Sequence, residues 1–331
     1  MNLATRLTAF IKLGENLDKI PETAKIQAKN QNKWFTDESI NKAIEGVKTY
    51  LEAEKLKKWI QNYPADHTTP QKVAVVMAGN IPLVGFHDFL CVLLSGHILW
   101  ARPSNEDSAL IKAIADLLIE IEPKFADYIY FVDKINEAEK VIATGSDNTA
   151  RYFAYYFAKK PHIIRKNRVS VGILNGLESK EDLQALGEDI FTYFGLGCRN
   201  VAKLYVPRNY DFTSFFECIQ GFAEVVNHNK YFNNYEYNKA IYLLKPIKHL
   251  DNGFLLLSEN SEIASPVACL FYEYYNNLQE LEEKINSQEE KIQCIVSKEA
   301  FWKDSYAFGQ AQKPQIDDYA DRVDTMKFLL Q

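Results

Sequence analysis

The chain has 331 residues, 47% of them hydrophobic and 25% charged, the composition of an ordinary globular protein. That length exceeds what one core usually supports, so two domains are expected. Net charge is −6 with both signs mixed along the chain, which leaves no basic face of the kind duplex nucleic acid demands.

No apolar run reaches the ~18 residues that span a bilayer, so no membrane span is expected. The opening "MNLATRLTAFIKLGENLDKI" carries scattered charges and no small-residue cleavage site. Five cysteines (Cys91, Cys198, Cys218, Cys269, Cys294) lack paired spacing, which argues for free thiols in a reducing, cytoplasmic setting.

Residues 1–65 read as helical by an apolar period of 3.6; Ile40, Ala43, Ile44, Val47, Tyr50 and Leu51 form one stripe, and the segment ends before Pro64. "KVAVVMAG" then reads as a buried parallel strand stopped by Gly79. A helix, "VGFHDFLCVLLSG", and a strand, "HILWARP", follow. "SNEDSALIKAIADLLIEI" reads as a helix opened by Ser104, with Glu106 and Asp107 in its first turn, where the helix dipole favours acids. "YIYFV" and "KVIATG" are strands, and "SDNTARYFAYYFA" a helix. Short apolar strands alternating with amphipathic helices predict an α/β fold with a parallel sheet wrapped on both faces.

The strand "VSVGIL" leads to a helix whose Ser179 and Asp182 have capping-box spacing and whose Leu183, Leu186, Ile190 and Phe191 share a face. Beyond it "VAKLYVP" reads as a strand and "FTSFFECIQGFAEVV" as a helix. "KAIYLL", "GFLLLS", "PVACLFYEYY" and "KIQCIVS" read as further strands, and the domain boundary is placed near Phe194.

"YFGLGCRNVAKLYVP" holds the sharpest chemical signal. A dinucleotide fingerprint places its glycines after a strand and before a helix, whereas Gly195 and Gly197 stand after a helix and before a strand. The glycines therefore present Cys198 on a hinge where two domains are expected to meet. A thiolate there can form thioesters with activated acyl groups. The competing reading is a small buried residue, the commonest role of a free cysteine.

Four stretches in order resemble blocks of the aldehyde dehydrogenase superfamily. They are "MAGNIPLVGFHDFLCVLLSGHILWARPSNEDS", "IATGSDNTA", "FGLGCRNVAKLYV" and "EIASPV". The similarity covers roughly residues 70 to 331 and is greatest to the acyl-CoA reductase branch, the bioluminescence-type (LuxC-like) fatty acyl reductases. The resemblance implies an aldehyde dehydrogenase-like fold of two doubly wound α/β domains. Their bounds would be a helical N-terminal segment at 1–65, a Rossmann-like cofactor-binding domain at 66–194 and a catalytic domain at 195–298. Residues 299–331 would return toward the cofactor domain.

The same resemblance implies roles. Cys198 would attack the carbonyl carbon and hold the acyl group, with the Asn80 side chain and the Cys198 main-chain N–H as oxyanion donors. Gly145 and Ser146 would form the turn near the pyrophosphate, Arg102 and Ser104 would lie along the cofactor, and Glu262 would hold the nicotinamide ribose. Arg102 stands where the family has a lysine, which favours NADPH, with NADH possible. Oxidising members carry a glutamate before paired glycines that activates water; the matching "IIRKNRVSVGIL" has neither. A thioester on Cys198 would then outlast hydrolysis until a hydride reduces it to aldehyde.

His87 is a weaker candidate proton donor, with helix or core packing the rival reading. Arg165, Lys166 and Arg168 could meet coenzyme A phosphates or form a solvated turn. "YFAYYFAKK" and "NKYFNNYEYN" could line an acyl channel or fill a core. No histidine pair or Cys-x-x-Cys has metal-ligand spacing, so no metal is expected. Asp324 is assigned no role. The expected substrate is an acyl-CoA or acyl-carrier thioester and the expected cofactor NAD(P)H, with a homo-oligomer compatible. Two other readings stand beside the reductase: a cysteine-dependent acyltransferase without hydride transfer, and a binding protein on a decayed enzyme fold.

Overall fold

A computed structural model of the protein describes residues 1–65 and 69–331, with Asp147 described in its backbone alone. The chain forms an α/β structure of two compact units, Met1–Asn167 with Gln315–Gln331, and Arg168–Pro314.

The first unit opens with four helices: α1 (Leu3–Asn16), α2 (Glu22–Gln31), α3 (Asp37–Tyr50) and α4 (Ala53–Ile60). Helix α3 shows how sequence makes them. Thr36 Oγ1 accepts the Ser39 N–H while Ser39 Oγ accepts the Thr36 N–H, a reciprocal cap that satisfies two end donors. Ile40, Ala43, Ile44 and Val47 then recur at helical spacing and are buried. There follow β1 (Lys72–Val76), α5 (Phe86–Leu94), β2 (Ile98–Arg102), α6 (Ala109–Ile121) and β3 (Ile129–Phe131). Then come β4 (Lys140–Thr144), α7 (Asp147–Tyr156) and β5 (His162–Arg165). The strands form one parallel sheet in the order β3-β2-β1-β4-β5.

Strand β1 sorts its side chains by the period of two. Val73 and Val75 enter a core with Phe10, Ile40, Phe89 and Leu110, while Ala74 enters another with Val141 and Phe157. Residues 1–65 thus share one core with the sheet and form a layer of the first unit. Full burial of a side chain such as Phe89 or Leu110 contributes about 2–3 kcal/mol.

Helix α6 begins at Ala109 and not at Ser104. Residues 104–107 make a turn in which the Asp107 N–H bonds the Ser104 carbonyl at 3.1 Å. Gln31 Oε1, from α2, accepts the N–H groups of Ser108 (3.3 Å) and Ala109 (3.1 Å), so a distant side chain takes the capping part expected of Ser104.

The second unit contains β6 (Val169–Ile173), α8 (Lys180–Phe191), β7 (Val201–Pro207), α9 (Thr213–Cys218) and α10 (Asn229–Leu244). It continues with β8 (His249–Asp251), β9 (Leu256–Glu259), β10 (Cys269–Tyr275), α11 (Leu278–Asn286), β11 (Ile292–Ser297) and β12 (Tyr306–Ala307). Its seven-stranded sheet runs β12-β11-β6-β7-β10-β9-β8, parallel except for the β8–β9 pair. Strand β6 pairs with β7 and β11, so the division falls at Asn167 and not near Phe194. The Ser179–Asp182 box forms as its spacing predicts.

"KAIYLL" is the end of helix α10 and not a strand. Its β-branched and aromatic residues suit a sheet, yet Tyr231, Tyr235, Asn238 and Tyr242 continue one helical face and are buried. "FTSFFECIQGFAEVV" breaks after α9 into a 3₁₀ segment, Ile219–Asn227.

Helix α12 (Thr325–Leu329) packs on α5 and belongs to the first unit. Lys140 Nζ and His97 Nε2 donate to the Leu329 carbonyl at 2.7 and 2.9 Å, satisfying a group that a helix end leaves bare. Among the described residues, no helix is long and apolar enough to cross a membrane.

Candidate active site

In the first unit, five residues singled out from the sequence lie at the carboxyl edge of three adjacent strands. Asn80 is exposed in the loop after β1, Arg102 ends β2 exposed, Ser104 follows half-buried, and Gly145 and Ser146 follow β4. Strand order reverses at β1, and in open parallel sheets ligands bind where the order reverses, outside the carboxyl ends. The loops there are close-fitted. A Cβ on Gly79 would fall 2.7 Å from Ser104 Cβ and Oγ. Ser146 caps α7, its hydroxyl accepting the Thr149 N–H at 3.4 Å.

The Asn80 loop is braced from below by two buried side chains that the sequence reading missed. Asn32 Nδ2 donates to the Gly79 carbonyl (2.8 Å), and the Asp107 carboxylate accepts the Leu83 N–H (2.8 Å). Leu83 holds a φ of 58°, in the left-handed region that costs a branched residue energy, so this bond helps hold a strained turn. Burial pushes the Asp107 carboxyl up to about 7, and its Oδ1 has no hydrogen-bond partner among the described residues.

In the second unit, Cys198 sits in a tight turn between α8 and β7. The Asn200 N–H bonds the Gly197 carbonyl at 3.0 Å, closing a turn with Cys198 at its second position. Cys198 is half-buried, whereas Cys269 and Cys294 in the same unit are buried. Ser170, on β6, donates its hydroxyl to the Cys198 carbonyl at 3.1 Å. The Asn200 side chain accepts the Gly197 N–H at 2.8 Å. Behind it Asp189 is wholly buried and accepts the N–H groups of Gly309 (2.6 Å) and Ala311 (3.0 Å). Burial raises the Asp189 carboxyl to about 7. One signal for Asp189 stood in the sequence: a charged residue beside Leu186 and Ile190 on an apolar helix face.

Glu262 is exposed just beyond the carboxyl end of β9, its N–H bonded to Asn260 Oδ1 at 2.9 Å. Buried Lys203 holds that loop by donating to the Ser261 carbonyl at 2.9 Å and to Glu273 at 2.5 Å. Cys198 precedes the amino end of β7, and Glu262 lies in the segment that returns from the carboxyl end of β9 to the amino end of β10.

Other candidates have structural places. The Arg165 guanidinium is buried against Asp88 and Thr325, both at 3.0 Å, which removes it from any phosphate role. His87 donates to the Ile316 carbonyl (2.7 Å) and packs edge-on against Tyr50 and Tyr319, matching the packing reading. Asp324 caps α12 and accepts from Tyr63 Oη. Of the two aromatic stretches, the first exposes Tyr152, Tyr155 and Tyr156, and the second buries Tyr231 and Tyr235.

Against known proteins, the profile of the family described as acyl-CoA reductase (LuxC) matches residues 9–227, about two-thirds of the chain. No curated protein matches. Among solved structures, an aldehyde dehydrogenase of Bacillus cereus in complex with NAD+ is 14% identical with a TM-score of 0.64, over 90% of this chain and 72% of its own. Aldehyde dehydrogenase C of Pseudomonas syringae, solved with NAD+ and octanal, is 11% identical with a TM-score of 0.68, over 90% and 73%. The aldehyde dehydrogenase KauB of Pseudomonas aeruginosa is 14% identical with a TM-score of 0.68, over 90% and 72%. These likenesses show that the fold is that of the aldehyde dehydrogenases. With its family profile spanning both the Asn80 loop and the Cys198 turn, the chain belongs to the acyl-CoA reductase (LuxC) family.

Proposed function

We propose that the protein is an acyl-thioester reductase that releases an aldehyde from an acyl-CoA or acyl-carrier substrate. The observation that carries this reading is a half-buried cysteine held in a fixed turn inside the region matched by the acyl-CoA reductase family. The Cys198 thiolate attacks the carbonyl carbon, the substrate's C–S bond breaks, and the departing thiol takes a proton while the acyl group stays on Cys198. The Cys198 main-chain N–H and the Asn80 side chain are assigned as the oxyanion donors, each worth about 3 kcal/mol in a site that excludes water.

The carboxyl edge of the first unit suits a dinucleotide. It offers an exposed guanidinium on Arg102, a hydroxyl on Ser104 and the amino end of ten-residue helix α7 after Gly145 and Ser146. These residues would hold the nicotinamide cofactor and Glu262 its ribose, and the Arg102 charge suits the extra phosphate of NADPH. When bound, that cofactor supplies the hydride. Strands β5 and β6 carry no carboxylate to activate water, so hydrolysis competes poorly.

The test is intact-mass measurement after mixing the protein with an acyl-CoA. One acyl group should add to the native chain and none to Cys198→Ala, and NADPH should then remove it with release of aldehyde. No mass gain on the native chain, or an equal gain on the variant, overturns the reading.

A further inference from the structure

Asn200 commits its side chain and its main-chain N–H to the turn that carries Cys198 and to the helix end before it, while its carbonyl accepts the Ser170 N–H of β6 at 3.0 Å. Only 2% exposed, it accepts the Gly197 N–H on Oδ1 at 2.8 Å. Its Nδ2 is shared among the carbonyls of Asp189 (3.1 Å), Ile190 (3.2 Å) and Thr192 (2.8 Å), which the end of α8 leaves without helical partners. Its main-chain N–H closes the turn on the Gly197 carbonyl at 3.0 Å.

These bonds orient successive peptide planes. A trans peptide points its C=O and N–H in opposite directions. The Gly197 carbonyl is pulled into the turn by the Asn200 N–H, so the Cys198 N–H in the same plane is aimed away from the turn's interior. The plane before it is held through the Gly197 N–H by Asn200 Oδ1, and the plane after it by Ser170 Oγ on the Cys198 carbonyl. Asp189 anchors the helix end that Asn200 grips, through Gly309 and Ala311.

We propose that Asn200 is the positioning residue of the acyl-transfer step. It fixes the direction of the Cys198 main-chain N–H so that this group meets the developing oxyanion. The inference rests on the reading of Cys198 given above. Asn200 touches no substrate; it acts through the peptide that Cys198 shares with Gly197. A displaced donor loses a hundredfold or more in such steps, so loosening this plane should be felt in acylation before anything else.

The experiment compares the native chain with Asn200→Ala and Asn200→Asp by three measurements. The first is the rate of acyl transfer from an acyl-CoA to Cys198, read by intact mass. The second is the rate of Cys198 alkylation by iodoacetamide, read by peptide mapping; it displaces iodide and needs no oxyanion donor. The third is amide hydrogen exchange of the peptide spanning residues 193–207.

In Asn200→Ala, acylation should fall about tenfold or more, alkylation should stay within about threefold, and exchange should quicken by about tenfold. Asn200→Asp keeps the acceptor for Gly197 but sets a carboxylate against the three carbonyls, so its acylation should fall at least as far. A soluble variant that acylates at the native rate, or that loses acylation and alkylation alike, overturns the proposal. If Asn200→Ala does not fold, the same comparison is made on Asn200→Asp. Failure of the native chain to take up an acyl group refutes the reductase reading instead, and the exchange data still decide whether Asn200 holds the turn.

Discussion

Two glycine-containing turns carry most of the candidate chemistry, and they are built by opposite means. The Gly145–Ser146 turn is capped by a near neighbour, Ser146 accepting the N–H of Thr149 in the helix it opens; Ser146 stays exposed, and the Gly145 N–H bonds the Arg165 carbonyl at 3.3 Å. The turn at Cys198 is held by its own Asn200, which grips the end of α8, and by side chains from elsewhere in its unit, Ser170 reaching from β6 and Asp189 reaching to Gly309 and Ala311. It also tolerates Tyr193, Phe194 and Gly195 in succession at φ values of 53°, 57° and 77°. Non-glycine residues in that region cost on the order of 1 kcal/mol or more each, so the surroundings must enforce them. An anion subsite needs only a helix start, which a few adjacent residues can make. A nucleophile with an aimed N–H needs a brace in three dimensions. The Asn80 loop follows the braced design, with Asn32 and Asp107 beneath it.

The comparison can be pressed hardest through pH. Asp107 and Asp189 both have carboxyls lifted to about 7 by burial. Below about pH 4 they are neutral folded and unfolded, and their contribution to stability is intact. As pH rises toward 7 the unfolded chain ionises first while the folded chain keeps its protons, so stability falls. Asp107→Asn keeps an acceptor for the Leu83 N–H and cannot ionise. Urea unfolding should show its stability gaining on the native chain between about pH 4 and pH 7, by up to about 4 kcal/mol, and levelling off above. A difference that ignores pH would remove Asp107 from the braced design.

Next in size, Asp189→Ala leaves the buried N–H groups of Gly309 and Ala311 without acceptors. Thermal or urea unfolding should show a loss of about 3 kcal/mol, with Cys198 acylation falling too. Ser146→Ala should cost only about 1 kcal/mol, the worth of one exposed cap, and leave Cys198 alkylation untouched. Equal costs at the two turns would erase the contrast.

What the sequence revealed follows the same line. Period and local caps mark most of the strands and helices, including the reciprocal box at Ser179, because those signals lie within a few residues of where they act. The start of α6 escaped because its cap, Gln31, lies 77 positions away. "KAIYLL" escaped because propensity outweighed a helical face that had begun at Tyr231. The boundary lies at Asn167 and not near Phe194 because strand pairing, invisible in one sequence, assigns β6 to the second sheet. At the site, Cys198 and the Gly-Ser turn stood out by residue type. Asn200, two residues after Cys198, did not, since its meaning lies in carbonyls that only folding brings near.

The first unit is assembled from both ends of the chain, with residues 315–331 docked beside α5 and held by His97 and Lys140. On a ribosome, the second unit therefore has all its residues before the first has its last helix. At about 5–20 residues per second the opening half waits on the order of ten seconds for that helix, its α5 surface uncovered meanwhile. While residues 168–314 are being made, the α5 surface that Thr325–Leu329 will cover is open to chaperones and to self-association.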